Sequence, residues 1–247
     1  MAYKEFAGIY DELINEDIDY DKIYTKVMNI CSRYNINNED YLDLACGTGN
    51  VGCRIGKRFK NVYAVDLSDD MLSIAYEKFH INKIKAKVIC QDMSELNLNH
   101  KFDLITCVLD SSNYITEEQD FEDYIKSIHN HLKDDGLFVF DVNSYYKLSE
   151  IMGNNIFTYS SEDVFYTWEN TFEDEVLNMF LTFFVKQENG LYKRFEEEHY
   201  ERAYKDSYIC KVLNDNNLQI LHKFNGYSDE LLNDKAERIL YVVKKVK

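Results

Sequence analysis

The sequence predicts an α/β protein: a mainly parallel sheet flanked by helices, with an antiparallel β segment inserted late in the chain. Three observations carry this. From residue 41 to residue 142 short apolar runs alternate with stretches of helical period, the pattern of a parallel sheet. The first run, Tyr41 to Ala45, leads into a glycine turn at Gly47 and Gly49, and a second run, Val62 to Val65, ends about twenty residues later at Asp66, as in a nucleoside-binding βαβ unit. From about Asn143 to Tyr204 polar residues alternate with apolar or aromatic ones, which reads as antiparallel strands.

Residues 1 to 40 read as helical. Tyr3, Phe6, Ile9, Tyr10 and Leu13 form one stripe at three- and four-residue spacing, and Tyr20, Ile23, Tyr24, Val27, Met28 and Ile30 form a second. The helix begun near Asn50 presents free N–H groups toward an anionic or polar ligand, and the glycines let the backbone approach it. Asp66 is placed to take both hydroxyls of a ribose. Gly47-x-Gly49-x-x-Gly52 also satisfies the dinucleotide pattern, so a nicotinamide-dependent oxidoreductase stays open. Asp43 argues otherwise, because it sets a carboxylate inside the first strand, where a ligand's ammonium group finds a partner.

An acidic residue, three others, then Gly-x-Gly resembles the first motif of the class I S-adenosylmethionine-dependent methyltransferases, and the resemblance runs from about Leu42 to Asp141. It implies a Rossmann-like seven-stranded mixed sheet of order 3-2-1-4-5-7-6, S-adenosyl-L-methionine as cofactor, and contacts to it from Asp43, Ala45, Gly47, Gly49, Asn50 and Asp66. The stretch Phe6 to Asp11 looks like the opening of small-molecule methyltransferases whose N-terminal helices close over the cofactor, which makes Tyr3 and Tyr10 candidates for lining the site. Methyltransferases of this fold that act on adenine N6 or glutamine share an Asn/Asp-Pro-Pro-Tyr/Phe segment, and a chain without proline cannot contain it.

After Asp66, Ser68 supplies an N-cap for a helix running to about His80. Leu67 and Met71 are placed to cover one face of an adenine. A third strand, Ala86 to Cys90, ends in Gln91-Asp92-Met93. The resemblance puts Asp92 on the adenine amino group and Met93 beside the ring, whereas the residues alone also allow Asp92 to cap a turn. The fourth strand, Phe102 to Leu109, runs into Asp110-Ser111-Ser112-Asn113-Tyr114 at the carboxyl end of the sheet, where open α/β sheets bind ligands. Leu109 meets the cofactor through its backbone; Asp110 and Asn113 either orient a substrate or simply form the turn. Cys107 lies mid-strand as a small buried hydrophobe. A helix from about Glu117 to Leu132 holds His129 and His131 in its last turn, where a cation suits the macrodipole. The Lys133 to Gly136 turn and strand five, Leu137 to Val142, follow and resemble the corresponding family landmark.

Within the antiparallel segment, Phe165 to Phe172, Val176 to Val185 and Tyr192 to Tyr200 are strands, with a hairpin signal at Glu188-Asn189-Gly190. Such an insertion resembles the substrate-covering subdomain of small-molecule methyltransferases. The expected division is therefore 1–142 with 204–247 as the core and 143–203 as the cover. Trp168, His199, Arg202 and Tyr204 resemble a recurring acceptor-side pattern. His199 is a general base if the acceptor is a hydroxyl or ammonium group, or else a histidine on a solvated strand face. Arg202 bridges to Glu198 or Glu201, or faces the pocket and implies an anionic acceptor. A helix from Tyr204 to Asp215 and strands Leu218 to Phe224 and Arg238 to Val246 close the chain. Asp110, Asp141 and Asn143 loosely resemble a Mg²⁺ site, but the spacing is off by one, so no metal is expected.

A net charge of −16 over 247 residues offers no phosphate track, and the lysines of Arg54 to Lys60 and Lys78 to Lys87 are interrupted by acids or apolar residues, so a nucleic-acid acceptor is not expected. The six cysteines have no metal-ligand spacing and fit reduced thiols. The first twenty residues are charged throughout and no long apolar run occurs, so a cytoplasmic protein away from membranes is expected, as monomer or homodimer. The function expected is methyl transfer from S-adenosylmethionine to a small-molecule N or O atom. A non-catalytic cofactor-binding module of the same fold is the other alternative.

Overall fold

The structure is a computed structural model and describes residues 18–230 and 232–246. Tyr3, Tyr10 and most of the expected lid lie outside the described residues. The first described helix, α1 (Tyr20–Arg33), is capped by the Asp19 carboxylate, which accepts from Lys22 N–H. The chain then runs through β1 (Asp40–Leu44), α2 (Asn50–Ile55), β2 (Asn61–Asp66), α3 (Asp69–Ile81), β3 (Ala86–Cys90), β4 (Phe102–Cys107), α4 (Glu118–His131) and β5 (Leu132–Asn143). A second sheet follows, made of β6 (Ile156–Ser160), β7 (Val164–Glu173), β8 (Val176–Lys186) and β9 (Tyr192–Arg202). The chain returns to the first sheet through α5 (Asp206–Asp215), β10 (Leu218–Asn225) and β11 (Arg238–Lys245).

The large sheet has seven strands in the order β10-β11-β5-β4-β1-β2-β3. Counting only its own strands, this is the expected 3-2-1-4-5-7-6 read from the other edge. The middle strands are parallel, and β11 runs antiparallel to both β5 and β10. Period-two alternation divides the strand residues between the two faces. On one face Tyr41, Leu104, Val139 and Val242 pack under α1, α2 and α3; on the other Leu42, Leu44, Ile105 and Phe138 pack under α4 and α5. The helices therefore bury apolar stripes on both faces, which is what a parallel sheet needs.

The second sheet is antiparallel, β6-β7-β8-β9, and its inner face of Leu177, Met179, Leu181 and Phe183 packs with Met71 of α3 and with Leu148 and Met152 of a π-helical turn, Lys147–Met152. Two elements escaped the sequence. Strand β6 has almost no buried side chain and thus no alternation to read; it exists because its backbone pairs with β7. The π turn has no simple periodic signature.

Three expectations are corrected. The Lys133 to Gly136 turn is an irregularity inside β5, because Leu132 already pairs with Phe102 before the register shifts to Leu104 opposite Leu137. Lys133 there bridges two buried carboxylates, Asp40 at 2.6 Å and Asp103 at 2.8 Å. The closing helix starts at Asp206 rather than Tyr204. His131 is no macrodipole cation: Leu98 N–H donates to its Nε2 at 3.0 Å and its Nδ1 lies 2.8 Å from the Ser127 carbonyl, a pair of bonds that only the neutral Nδ1–H tautomer makes.

Candidate active site

The carboxyl ends of β1, β2, β3 and β4 and the inner face of the second sheet enclose one cavity of about 500 Å³. That is within the usual size of a small-molecule site.

Its first wall is the glycine turn. The backbone enters the left-handed region at Ala45, Gly47 and Gly49, and again beyond β4 at Leu109 and Asp110. For non-glycine residues this conformation costs about 1 kcal/mol or more each, and such strain gathers where a ligand must be met. Asp66 anchors the turn, its Oδ2 accepting from Gly47 N–H at 2.7 Å and its Oδ1 from Ser68 N–H at 2.9 Å. Burial raises the Asp66 carboxyl above its ordinary range against these amide donors. Lys78 of α3 reaches the same turn, donating to Thr48 Oγ1 and Asn50 Oδ1, and so is no merely solvated lysine.

Asp43 is the most telling residue. It is 1% exposed, yet it lines the cavity. Its Oδ1 accepts from Thr106 Oγ1 at 3.0 Å, and since that proton is committed, the Tyr41 hydroxyl 2.8 Å away donates to Thr106 in turn. Its Oδ2 has no partner among the described residues. Burial pushes the carboxyl up to about 7, mainly because nothing cationic compensates its charge. A buried, half-satisfied carboxylate facing a cavity has the charge and the free lone pairs to take an ammonium group. Gly52 makes the position possible, because a Cβ there would stand 2.6 Å from Asp43 Oδ2 and 2.8 Å from Phe79. Gly52→Ala is therefore expected to displace the Asp43 carboxylate and weaken cofactor binding about tenfold or more by calorimetry while the sheet stays folded by circular dichroism.

Leu67, Met71, Met93 and Asp92 also line the cavity. Asp92 does cap its turn, with Ser94 N–H and Oγ–H both donating to Oδ1. The strained Leu109-Asp110 turn is held from behind by Asp141, fully buried, whose oxygens accept Leu109 N–H at 2.9 Å and Asp110 N–H at 2.8 Å. Arg238 and the Tyr227 hydroxyl donate to the same carboxylate, and Arg238 also pairs with Asp110. Asp110 and Asp141, the carboxylates of the Mg²⁺-like arrangement, thus share a guanidinium.

The opposite wall belongs to the second sheet: Tyr166, Trp168, Met179, Leu181, Phe183, His199 and Glu201. The buried Trp168 Nε1–H has no partner among the described residues. Burial alone pulls His199 down to about 4, so its ring is neutral near pH 7. It is buried and stands edge-on to Tyr114, not on a solvated face.

Three expected site residues are framework instead. Arg202 does not line the cavity; its guanidinium donates to the Thr116 carbonyl and Glu118, with Glu175 at 3.9 Å, none of them the expected glutamates. The Tyr204 hydroxyl donates to the Ile115 carbonyl, with its ring against Phe121. Asn113 is fully buried: its Oδ1 accepts from Asn143 N–H, and its Nδ2 donates to the Asn143 and Arg202 carbonyls. It ties the β4 turn to β5 and to the end of β9. Cys107 is a buried thiol pushed up to about 12 by desolvation.

One residue was missed. Glu201 is 3% exposed, accepts from Asn143 Nδ2 at 2.8 Å, and lines the cavity. Burial, then the negative charge of Asp110, raises its carboxyl to about 8. The signal was present: on β9 the buried face reads Glu197, His199, Glu201, where a covering strand should turn apolar residues inward.

Among the described residues no group of His, Cys, Asp and Glu is gathered for a metal, and no helix is long and apolar enough to cross a membrane. All six cysteines are free. A glycine turn with an acid at each of three successive strand ends, one of them a buried carboxylate with an unpartnered oxygen, and a second sheet across the cavity define a nucleoside-binding type of site.

Comparison with known proteins makes this specific. Residues 42–136 match the model of the methyltransferase domain family. A methyltransferase-family protein of Geobacillus sp. (strain WCH70) is 34% identical over 99% of this chain and 100% of its own. The crystal structure of an S-adenosylmethionine-dependent methyltransferase from Clostridium acetobutylicum superimposes with a TM-score of 0.93 at 51% identity, covering 98% of each chain. A more distant relative, a dTDP-3-amino-3,6-dideoxy-α-D-glucopyranose N,N-dimethyltransferase of Streptomyces fradiae, is 26% identical over 55% of this chain and 52% of its own. The chain belongs to the S-adenosylmethionine-dependent methyltransferase family, and S-adenosylmethionine is its cofactor. The nicotinamide alternative is thereby set aside.

Proposed function

We propose that the protein transfers the methyl group of S-adenosylmethionine to a nitrogen or oxygen of a small-molecule acceptor held between the two sheets. The observation that carries this is the cavity with one wall from the strand ends and the other from β7, β8 and β9. The residues fit the cofactor: the unpartnered Asp43 oxygen for its ammonium, Asp66 for the ribose, Asp92 with Met93, Leu67 and Met71 for the adenine, and the backbone about Ala45, Gly47, Gly49, Asn50 and Leu109 for the approach. The bound cofactor supplies an electrophilic methyl on a sulfonium. In-line displacement then asks little of the protein beyond alignment and exclusion of water, which the aromatic wall of Tyr166, Trp168 and Phe183 provides. Residues 143–203 act as the cover over a core of 1–142 and 204–247.

The amino-sugar acceptor of the Streptomyces fradiae relative is consistent with a small molecule, and the net charge of −16 disfavours nucleic acid. Asp66→Ala is expected to weaken binding of S-adenosylhomocysteine at least about tenfold by calorimetry, since a lost bond to a charged group costs about 1.5–3 kcal/mol. For turnover, labelled S-adenosylmethionine is incubated with a desalted low-molecular-weight metabolite pool and separately with tRNA; label in the tRNA alone would reject a small-molecule acceptor.

A further inference from the structure

We propose that the acceptor is an amine, taken up as its ammonium form, and that Glu201 receives the proton it sheds before methylation. The proposal rests on the methyl transfer set out above and names the substrate class of that site.

Six carboxylates reach the cavity wall, and among the described residues no lysine or arginine does. Asp43, Asp66 and Asp92 fall in the cofactor half, which leaves Asp110, Asp120 and Glu201 on the acceptor side. An anionic acceptor finds no cation on that wall among the described residues, because Arg238 is committed to Asp110 and Asp141, and Arg202, which would have implied an anion had it faced inward, pairs with Thr116 and Glu118 instead. A cation is attracted by these acids, and the aromatic residues Tyr166, Trp168 and Phe183 line the same wall. The unpartnered indole N–H of Trp168 is a separate sign that this wall is built for a ligand, one bearing an acceptor atom for it.

Glu201 is set to take a proton by what surrounds it. Asn143 Nδ2 holds one of its oxygens at 2.8 Å, and Asn143 is itself fixed by Asn113 and by Lys147 Nζ at 3.0 Å. Asp110 from the β4 turn raises its proton affinity, while Lys147 of the π turn after β5 and Arg238 of β11 lower it less than burial raises it. Burial acts on the two candidates in opposite directions: it raises the hold of the Glu201 carboxyl on a proton and lowers that of the His199 ring, so Glu201 is the better matched to receive a proton from an ammonium. The step balances: R–NH₃⁺ gives a proton to the Glu201 carboxylate, the freed nitrogen pair forms the N–CH₃ bond, and the C–S pair stays on sulfur. R–NH₂⁺–CH₃ and S-adenosylhomocysteine result, and the Glu201 proton passes to solvent. Asn113 and Asn143 are positioning residues in this scheme.

The probe is sinefungin, a cofactor analogue that carries an ammonium-bearing carbon in place of the methylsulfonium. Its amine stands where the transferred methyl stands, with its N–H groups directed toward the acceptor side, and neither S-adenosylmethionine nor S-adenosylhomocysteine has such N–H groups. Calorimetry on the full chain at pH 8.5 is expected to show sinefungin binding at least about tenfold tighter than both, with that margin lost in Glu201→Gln and S-adenosylhomocysteine affinity unchanged. Equal affinity of the three for the wild type overturns the amine assignment while leaving the methyltransferase site intact; a margin that survives in a folded Glu201→Gln overturns the role of Glu201. Absence of S-adenosylhomocysteine binding overturns the underlying site as well. In parallel, the metabolite pool is split by ion exchange into cationic, neutral and anionic fractions. Methyl label is expected in the cationic one, and label confined to either of the others overturns the proposal.

Discussion

Asp43→Asn is expected to bind S-adenosylmethionine ten- to a hundredfold more weakly than the wild type and to lose the pH dependence of binding. The carboxyl is pushed up to about 7 in the ligand-free protein because burial is not offset by a counter-charge. An ammonium group against Oδ2 supplies that charge, so the bound state holds Asp43 ionised and its proton affinity falls. Below about pH 7 binding must expel a proton, and affinity drops about tenfold for each unit of acidification; above about pH 7 it is level. Asparagine keeps the shape and the Thr106 contact but has neither charge nor proton to lose. Calorimetric titrations from pH 5.5 to 8.5 check this, and a wild-type affinity flat across that range would show that Asp43 does not face the ammonium. The same raised carboxyl acts against folding at high pH. The native state retains a proton that the unfolded chain has already released, so this contribution to stability falls as pH rises from about 4 to about 7. Asp43→Asn should therefore melt higher than the wild type at pH 8 when both are ligand-free, the trade of stability for binding usual at such sites.

Arg238→Met is expected to destabilise the fold by about 3–5 kcal/mol, the cost of leaving a buried charge without its counter-ion. Asp141 is fully buried in β5, and Arg238 on the neighbouring strand β11 is the cation that pairs with it and with Asp110 together. The substitution leaves Asp141 with two backbone amides and the Tyr227 hydroxyl. It also frees Asp110, and the left-handed Leu109-Asp110 turn loses one of its restraints. Urea denaturation measures the first effect. The control is Arg238→Met combined with Asp141→Asn, which removes both charges and should recover much of the loss. A single variant as stable as the wild type would mean that the amides and hydroxyl suffice.

The two residues mark where the sequence could be read and where it could not. Asp43 was legible because its oddity is local: a carboxylate in an apolar run just before a glycine turn has few structural reasons to be there. Asp66 was legible because βαβ geometry sets the spacing between a turn and the next strand end. The pair of Arg238 and Asp141 was not, because 97 residues separate them and nothing on either strand names the other. Arg202 failed for a related reason. Its His-x-x-Arg context suggested the cavity, but β9 alternates, so Arg202 lies on the opposite face from His199 and Glu201 and was drawn instead to Thr116 and Glu118.

What the sequence determined by itself is therefore what local chemistry and period dictate: the parallel strands, the glycine turn, the acids at three successive strand ends, the antiparallel character of the insertion, and through the resemblance the strand order. What only the tertiary structure decided is which polar side chains of the insertion look inward. Alternation assigns Glu197, His199 and Glu201 to one face but does not say which face is inside, and the usual cue, that the apolar face goes in, points the wrong way on β9. Only packing the second sheet over the strand ends made that face the wall of a cavity. Desolvation there, a property of the assembled fold and not of any segment, gave Glu201 its hold on a proton and His199 its lack of one.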